Sequence, residues 1–129
     1  MKGKKILLVD DNKTVMTENS LKFSDAGYEV ACALTLIDAH ILLEKFKPDA
    51  IVLDVMLPDG SGLEFIEELK KGEFAETPVL LLSGLAEQDD IIRGMLAGSD
   101  FYLTKPYEFN VLLEKTNSLV ANPTKKGKK

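Results

Sequence analysis

Three aspartates, one serine and one lysine stand at the ends of short apolar runs. Asp10 and Asp11 follow Ile6-Leu7-Leu8-Val9, and Asp54 follows Ala50-Ile51-Val52-Leu53. Ser83 follows Val79-Leu80-Leu81-Leu82, and Thr104-Lys105 follows Phe101-Tyr102-Leu103. Unbroken apolar runs of this length, bounded by turn residues, suit strands buried on both faces of a parallel sheet. The carboxyl ends of such strands line the crevice where ligands bind. The pattern therefore gathers three carboxylates, a hydroxyl and an ammonium in one pocket. Adjacent carboxylates repel one another, and a cation relieves them. Oxygen donors of this kind suit magnesium, which binds through one or two carboxylates plus a phosphate and keeps several waters. A carboxylate so placed can act as a nucleophile and form an aspartyl phosphate. The metal and Lys105 would neutralise charge on the transferring phosphoryl group, and Ser83 would hydrogen-bond one of its oxygens.

Each residue taken alone has a plainer explanation. An Asp after a strand commonly caps a turn or helix. Asp11 could cap the first helix, Ser83 could cap the helix after its strand, and Lys105 could be a surface lysine. Five chemically matched residues at matching strand ends argue for a site.

The segments between the strands carry helical spacing. A first helix runs from about Lys13 to Ala26, with Val15, Met16 and Phe23 on one face. Asn19 falls on that same face, so it either finds a hydrogen-bond partner or sits at the helix edge. A weaker strand spans Tyr28 to Ala33. Thr35 caps a helix through Phe46, with Asp38 as its capping-box partner. Further helices are expected over about Leu63–Lys70, Glu87–Ala97 and Glu108–Val120. Their apolar faces include Phe65, Ile66 and Leu69, then Ile91, Ile92, Met95 and Leu96, then Phe109, Leu112, Leu113, Leu119 and Val120. Alternating strands and helices imply an α/β fold with a parallel sheet and right-handed crossovers.

Composition narrows the classes. A chain of 129 residues is expected to form one domain with a real core. It is 45% hydrophobic and 29% charged, as ordinary globular proteins are. The net charge of -5 and pI near 4.9 argue against binding nucleic acid, which needs clustered Lys and Arg. No apolar run approaches the ~18 residues of a membrane span. The basic N-terminus meets Asp10 and Asp11 after four apolar residues, unlike an export signal. Cys32 has no internal disulfide partner. These features fit the cytoplasm. Residues 1–121 read as the domain and residues 122–129, with four lysines, as a disordered tail.

Four segments resemble the response-regulator receiver domain in order and spacing. Leu7-Leu8-Val9-Asp10-Asp11-Asn12 resembles its acidic opening. Asp49 to Gly62, containing Leu53-Asp54-Val55-Met56-Leu57-Pro58-Asp59-Gly60, resembles its phosphorylation segment. Pro78 to Gly84 resembles the hydroxyl-bearing strand, and Gly98 to Tyr107 the closing Lys-Pro segment. The resemblance covers about residues 4–120. It implies a flavodoxin-like doubly wound sheet of five parallel strands, order 2-1-3-4-5, with five helices; the family's own fold is the illustration of that order. It implies that Asp54 accepts the phosphoryl group. Asp11, Asp54 and the Met56 backbone carbonyl would bind Mg2+, with Asp10 helping through water. Lys105 would contact the phosphate, Ser83 would move toward it, and Tyr102 would rotate as packing changes. It also implies a cis Lys105-Pro106 bond.

By the same resemblance the phosphoryl donor is a sensor histidine kinase or a phosphotransfer protein. The output is a downstream protein or a homodimer, contacted through the fourth helix, fifth strand and fifth helix, with no nucleic acid and no membrane. Met56 and Leu85 flank the expected path of attacking water; both are apolar, so a long-lived phosphate is expected. Departures are Gly84 where Ala is more common, Leu36 where Gly is common, and Asn19 at a usually apolar position. Gly60-Ser61-Gly62 lacks the third glycine of a dinucleotide fingerprint and reads as a turn. His40, the single histidine, reads as a surface residue, and the methionines as core or gap filler.

Two other functions compete. An Asp-nucleophile phosphatase of haloacid-dehalogenase type wants a second Asp two residues after the first, where Met56 stands. A receiver-shaped module without phosphorylation would be expected to have lost an acid or the lysine, and none is lost. The chain is therefore expected to do no chemistry beyond self-phosphorylation and slow autodephosphorylation.

Overall fold

The computed structural model describes residues 3–84 and 87–121. Five strands form one parallel sheet: β1 (Lys5–Val9), β2 (Glu29–Ala33), β3 (Ala50–Asp54), β6 (Val79–Ser83) and β7 (Phe101–Thr104). The spatial order β2-β1-β3-β6-β7 is the expected 2-1-3-4-5 order of the long strands. The remaining pair, β4 (Met56–Leu57) and β5 (Gly60–Ser61), is a small antiparallel hairpin after β3. The helices are α1 (Lys13–Asp25), α2 (Leu36–Phe46), α3 (Gly62–Leu69), α4 (Gln88–Ala97) and α5 (Phe109–Ala121). The expected ends hold to within a residue or two. The hairpin was not foreseen, because two-residue strands carry no periodic signal.

The sheet divides two apolar clusters, as a doubly wound fold requires. Leu7, Val9, Ile51, Leu53, Val79 and Leu81 face one side with α2 and α3. Ile6, Leu8, Val52, Leu80 and Leu82 face the other with α1 and α5. Alternate residues of each strand serve opposite faces, which is why these strands are apolar throughout. Phe23 is fully buried against Tyr28 and Phe109, with ring centroids 5.4 and 4.9 Å away. Truncating it to Ala is expected to cost about 3–5 kcal/mol.

Capping resolves the open readings. Asn12, not Asp11, caps α1, its side chain accepting the Val15 N–H at 3.1 Å. Thr35 caps α2 as expected, accepting from the Asp38 N–H at 3.2 Å. Ser83 caps no helix, since α4 begins at Gln88 with Glu87 as its N-cap. Asn19 is buried and donates to the Tyr107 hydroxyl at 2.9 Å.

One expectation is overturned on α4. Ile92, Met95 and Leu96, assigned to the inward face, are 48%, 45% and 80% exposed. The helix buries its small residues instead, Gly94 and Ala97. At Gly94 an added Cβ would lie 2.6 Å from the Tyr102 ring. The close approach of β7 selects the face with the least side chain and turns the large apolar residues outward. The expected tail falls outside the described residues, as does Leu85.

Candidate phosphoryl-transfer site

The parallel register brings the strand ends to one edge. Val9 pairs with Leu53, and Asp54 pairs with Leu82. The residues just past β1 and at the ends of β3 and β6 therefore meet. Carboxylate oxygens of Asp10, Asp11 and Asp54 all lie within 4.8 Å of one another. Lys105 reaches in from beyond β7: its Nζ donates to Asp54 Oδ2 at 3.0 Å and lies 3.6 Å from Asp10 Oδ2. The Lys105-Pro106 peptide is cis, as expected. Lys105 is tied at its backbone too, donating its N–H to the Ser83 carbonyl at 2.7 Å.

The acids differ in surroundings. Asp11 is exposed, whereas the Asp54 and Asp10 side chains keep only 12% and 8% of their surface exposed. Asp10 Oδ1 accepts the Asn12 N–H at 2.9 Å. Its Oδ2 is buried and accepts no hydrogen bond among the described residues. Burial pushes the Asp10 carboxyl above its ordinary value, opposed by the Asn12 N–H and Lys105 and reinforced by Asp54 and Asp11. Burial by itself would lower the Lys105 pKa. The hydrogen bond and charge of Asp54, with the charge of Asp10, outweigh it and hold the lysine above its ordinary range. A buried carboxylate oxygen that accepts no hydrogen bond and has only Lys105 at 3.6 Å, beside two further carboxylates, is part of a donor set short of positive charge. One lysine does not neutralise three acids, and a hard divalent cation fits the deficit.

The other expected residues have definite positions. The Met56 N–H donates to Asp54 Oδ1 at 3.2 Å, while the residue is 66% exposed. Ser83 is buried at the end of β6, opposite Thr104. Tyr102 lies mid-strand opposite Leu81, its ring against Gly94. His40 is on the surface, 3.5 Å from Glu68.

Local sequence explains the loop that carries Asp54. Gly62 donates its N–H to the Val55 carbonyl at 2.6 Å. A Cβ at Gly62 would lie 2.5 Å from the Asp54 carbonyl oxygen, so only glycine permits this approach. Ser61 caps α3, accepting the Leu63 N–H at 3.1 Å. Sequence reading missed Asp59, whose carboxylate accepts the N–H groups of Leu36 at 2.9 Å and Ile37 at 3.1 Å. A capping residue 23 positions from its partner leaves no local pattern.

Comparison with known proteins agrees with this geometry. The chain is 36% identical over 121 residues to the phosphate regulon transcriptional regulatory protein PhoB of Pseudomonas aeruginosa, covering 93% of this chain and 53% of that protein. It is 38% identical over 105 residues to the alkaline phosphatase synthesis transcriptional regulatory protein PhoP of Bacillus subtilis, covering 81% and 43%. The chain thus spans about half the length of the curated relatives it matches. The receiver domain of the Francisella response regulator 1452 superposes with a TM-score of 0.88 at 32% identity, covering 93% of this chain and 98% of that one. A response regulator from Chloroflexus aurantiacus superposes at 0.87 and 31%, covering 93% and 99%. The receiver-domain family matches residues 6–117. Strand order, acidic strand-end site and family match together identify the chain as a member of the response regulator receiver domain family.

Proposed function

We propose that Asp54 is the phosphoryl acceptor and that Asp10, Asp11, Asp54 and the Met56 carbonyl serve a Mg2+ ion. The carrying observation is the 3.0 Å bond from Lys105 to Asp54 inside a trio of carboxylates. Asp54 and Asp11 would ligate the ion directly and Asp10 through water. When bound, the ion supplies positive charge that offsets the acids and the developing charge on the phosphoryl group.

Asp54 attacks the phosphorus of the donor. A new P–O bond forms as the donor bond to phosphorus breaks, and the leaving group keeps the electron pair and takes up a proton. Lys105 exchanges its contact with the Asp54 carboxylate for one with the phosphoryl oxygens. Ser83, buried at the adjacent strand end, donates its hydroxyl to another of those oxygens. The donor is a sensor histidine kinase or a phosphotransfer protein, acting in the cytoplasm. Chemistry is limited to self-phosphorylation and slow autodephosphorylation. Met56 stands where a dehalogenase-type phosphatase would need an acid, which argues against ester turnover.

The output surface is the face of α4, β7 and α5, and its partner is a downstream protein or a second copy. The exposed apolar residues Ile92, Met95 and Leu96, close together on α4, support this assignment, because neighbouring exposed apolar side chains can form a docking patch. Tyr102 links this face to the pocket by rotating when Ser83 engages the phosphate. Names of the relatives record transcriptional regulation, and one related protein is named as DNA-binding. In this chain the receiver unit, residues 1–121, contacts protein rather than nucleic acid, and the whole chain's net charge of -5 suits that role. No helix among the described residues is long and apolar enough to cross a membrane. The test is mass spectrometry after incubation with a small phosphodonor. One phosphate should appear with magnesium and none without it. Full labelling of Asp54→Ala would sink the assignment.

A further inference from the structure

The N-terminus of α2 is closed by a residue from a different loop. The first N–H groups of a helix have no intrahelical acceptor. Thr35 takes the N–H of Asp38. Asp59 takes the two before it, Leu36 through Oδ1 at 2.9 Å and Ile37 through Oδ2 at 3.1 Å. One carboxylate therefore spans the helix start, where the backbone dipole favours negative charge. A second contact lies beside it. Gly60 adopts φ +152°, and a Cβ built there would be 3.0 Å from Leu36 Cδ1. The turn and the first residue of α2 are thus joined by hydrogen bonds and by apolar contact.

That turn is continuous with the acceptor. Pro58 and Asp59 form the turn of the hairpin in which Met56 pairs with Ser61 and Leu57 with Gly60. Met56 in turn donates its N–H to Asp54 Oδ1. An unbroken path of ordered contacts runs from the α2 N-terminus to the Asp54 carboxylate.

We propose that Asp59 is a positioning residue for the acceptor site, holding Met56 in place for the cation by fastening the hairpin turn to α2. The inference rests on the roles assigned above to Asp54 and Met56. A tied loop is already ordered when the ion arrives. An untied one must lose backbone freedom on binding, which weakens affinity.

The test uses the full chain with Asp59→Ala and Asp59→Asn. Magnesium affinity is read from amide shifts during titration with magnesium chloride. Labelling by phosphoramidate is followed by mass at limiting and saturating magnesium. Asp59→Ala should weaken magnesium binding about tenfold, the lower end for loss of a residue that supports metal ligands. Its labelling rate should fall in proportion at limiting magnesium and recover at saturation. Asp59→Asn, which keeps one acceptor oxygen, should fall between. Hydrogen exchange at Leu36 and Ile37 should quicken in both. Faster exchange with unchanged magnesium affinity would mean that Asp59 only caps α2, and the proposal would be wrong. A rate loss that saturation does not restore would also overturn it. If Asp59→Ala does not fold, Asp59→Asn decides by the same readouts. Labelling that persists in Asp54→Ala, or an unaltered chain indifferent to magnesium, would instead overturn the site assignment itself.

Discussion

Lys105 and Asp54 are joined by a 3.0 Å hydrogen bond between residues that arrive from different strands. The lysine backbone is pinned at the same time to the Ser83 carbonyl. The ammonium is therefore held where it balances the charge of Asp54 and Asp10 and, under the proposed function, would balance that of a phosphoryl group on Asp54. Lys105→Met should slow labelling by a small phosphodonor about a hundredfold or more, the usual effect of losing one oriented donor to a charged transition state. A rate within a factor of two of the unaltered chain, about 0.4 kcal/mol, would remove Lys105 from the mechanism.

Magnesium should stabilise the fold. At a concentration about a hundredfold above its dissociation constant the gain is about 2.7 kcal/mol, read as a rise in melting temperature. Asp10→Asn should behave oppositely in the two states. Without metal it should be more stable than the parent, because burial already penalises the charged Asp10 carboxyl. With metal it should gain less. Equal increments in parent and variant would contradict the placement of the ion.

Phosphorylated Asp54 should be long-lived. Met56 is apolar and 66% exposed, so it neither orients water nor takes its proton, and it can be replaced without disturbing the core. Met56→Gln should shorten the phosphate half-life, followed as loss of the mass shift. An unaltered chain that loses its phosphate within seconds at neutral pH would rule this out.

The Asn19–Tyr107 bond should be measurable as a coupling. It fastens α1 to the segment just after Lys105. Asn19→Ala and Tyr107→Phe, with the double variant, should give a coupling of about 0.5–1.5 kcal/mol in denaturant unfolding. Strict additivity would mean that the bond contributes nothing.

Tyr28 sets an alkaline limit. Its hydroxyl donates to Asn117 Oδ1 at 2.7 Å, and burial, aided by Asp49, pushes its pKa from 10.0 to about 12. The fold favours the neutral phenol. Its contribution is complete below pH 10 and disappears as pH rises through about 12. Ultraviolet titration should show a late phenolate that Tyr28→Phe removes. Its persistence in that variant would reassign it.

Much of this molecule is local pattern. Apolar runs ending in Asp10, Asp54, Ser83 and Lys105 specify buried parallel strands, and strand-end chemistry follows from the topology of such sheets. Thr35 announces α2 because a cap acts on its own first turn. The tertiary structure decided what depends on distant neighbours. Asn19 is polar on an apolar face, and only packing against Tyr107, 88 positions away, satisfies it. On α4 the same periodicity fits two opposite faces. The close approach of Tyr102 to Gly94 selected the small one and left Ile92, Met95 and Leu96 outward. Asp59 reads as a turn residue in its own segment. Its grip on Leu36 and Ile37 exists because the sheet brings two loops to one edge, and hydrogen bonds between segments that meet only on folding leave no periodic trace in the chain.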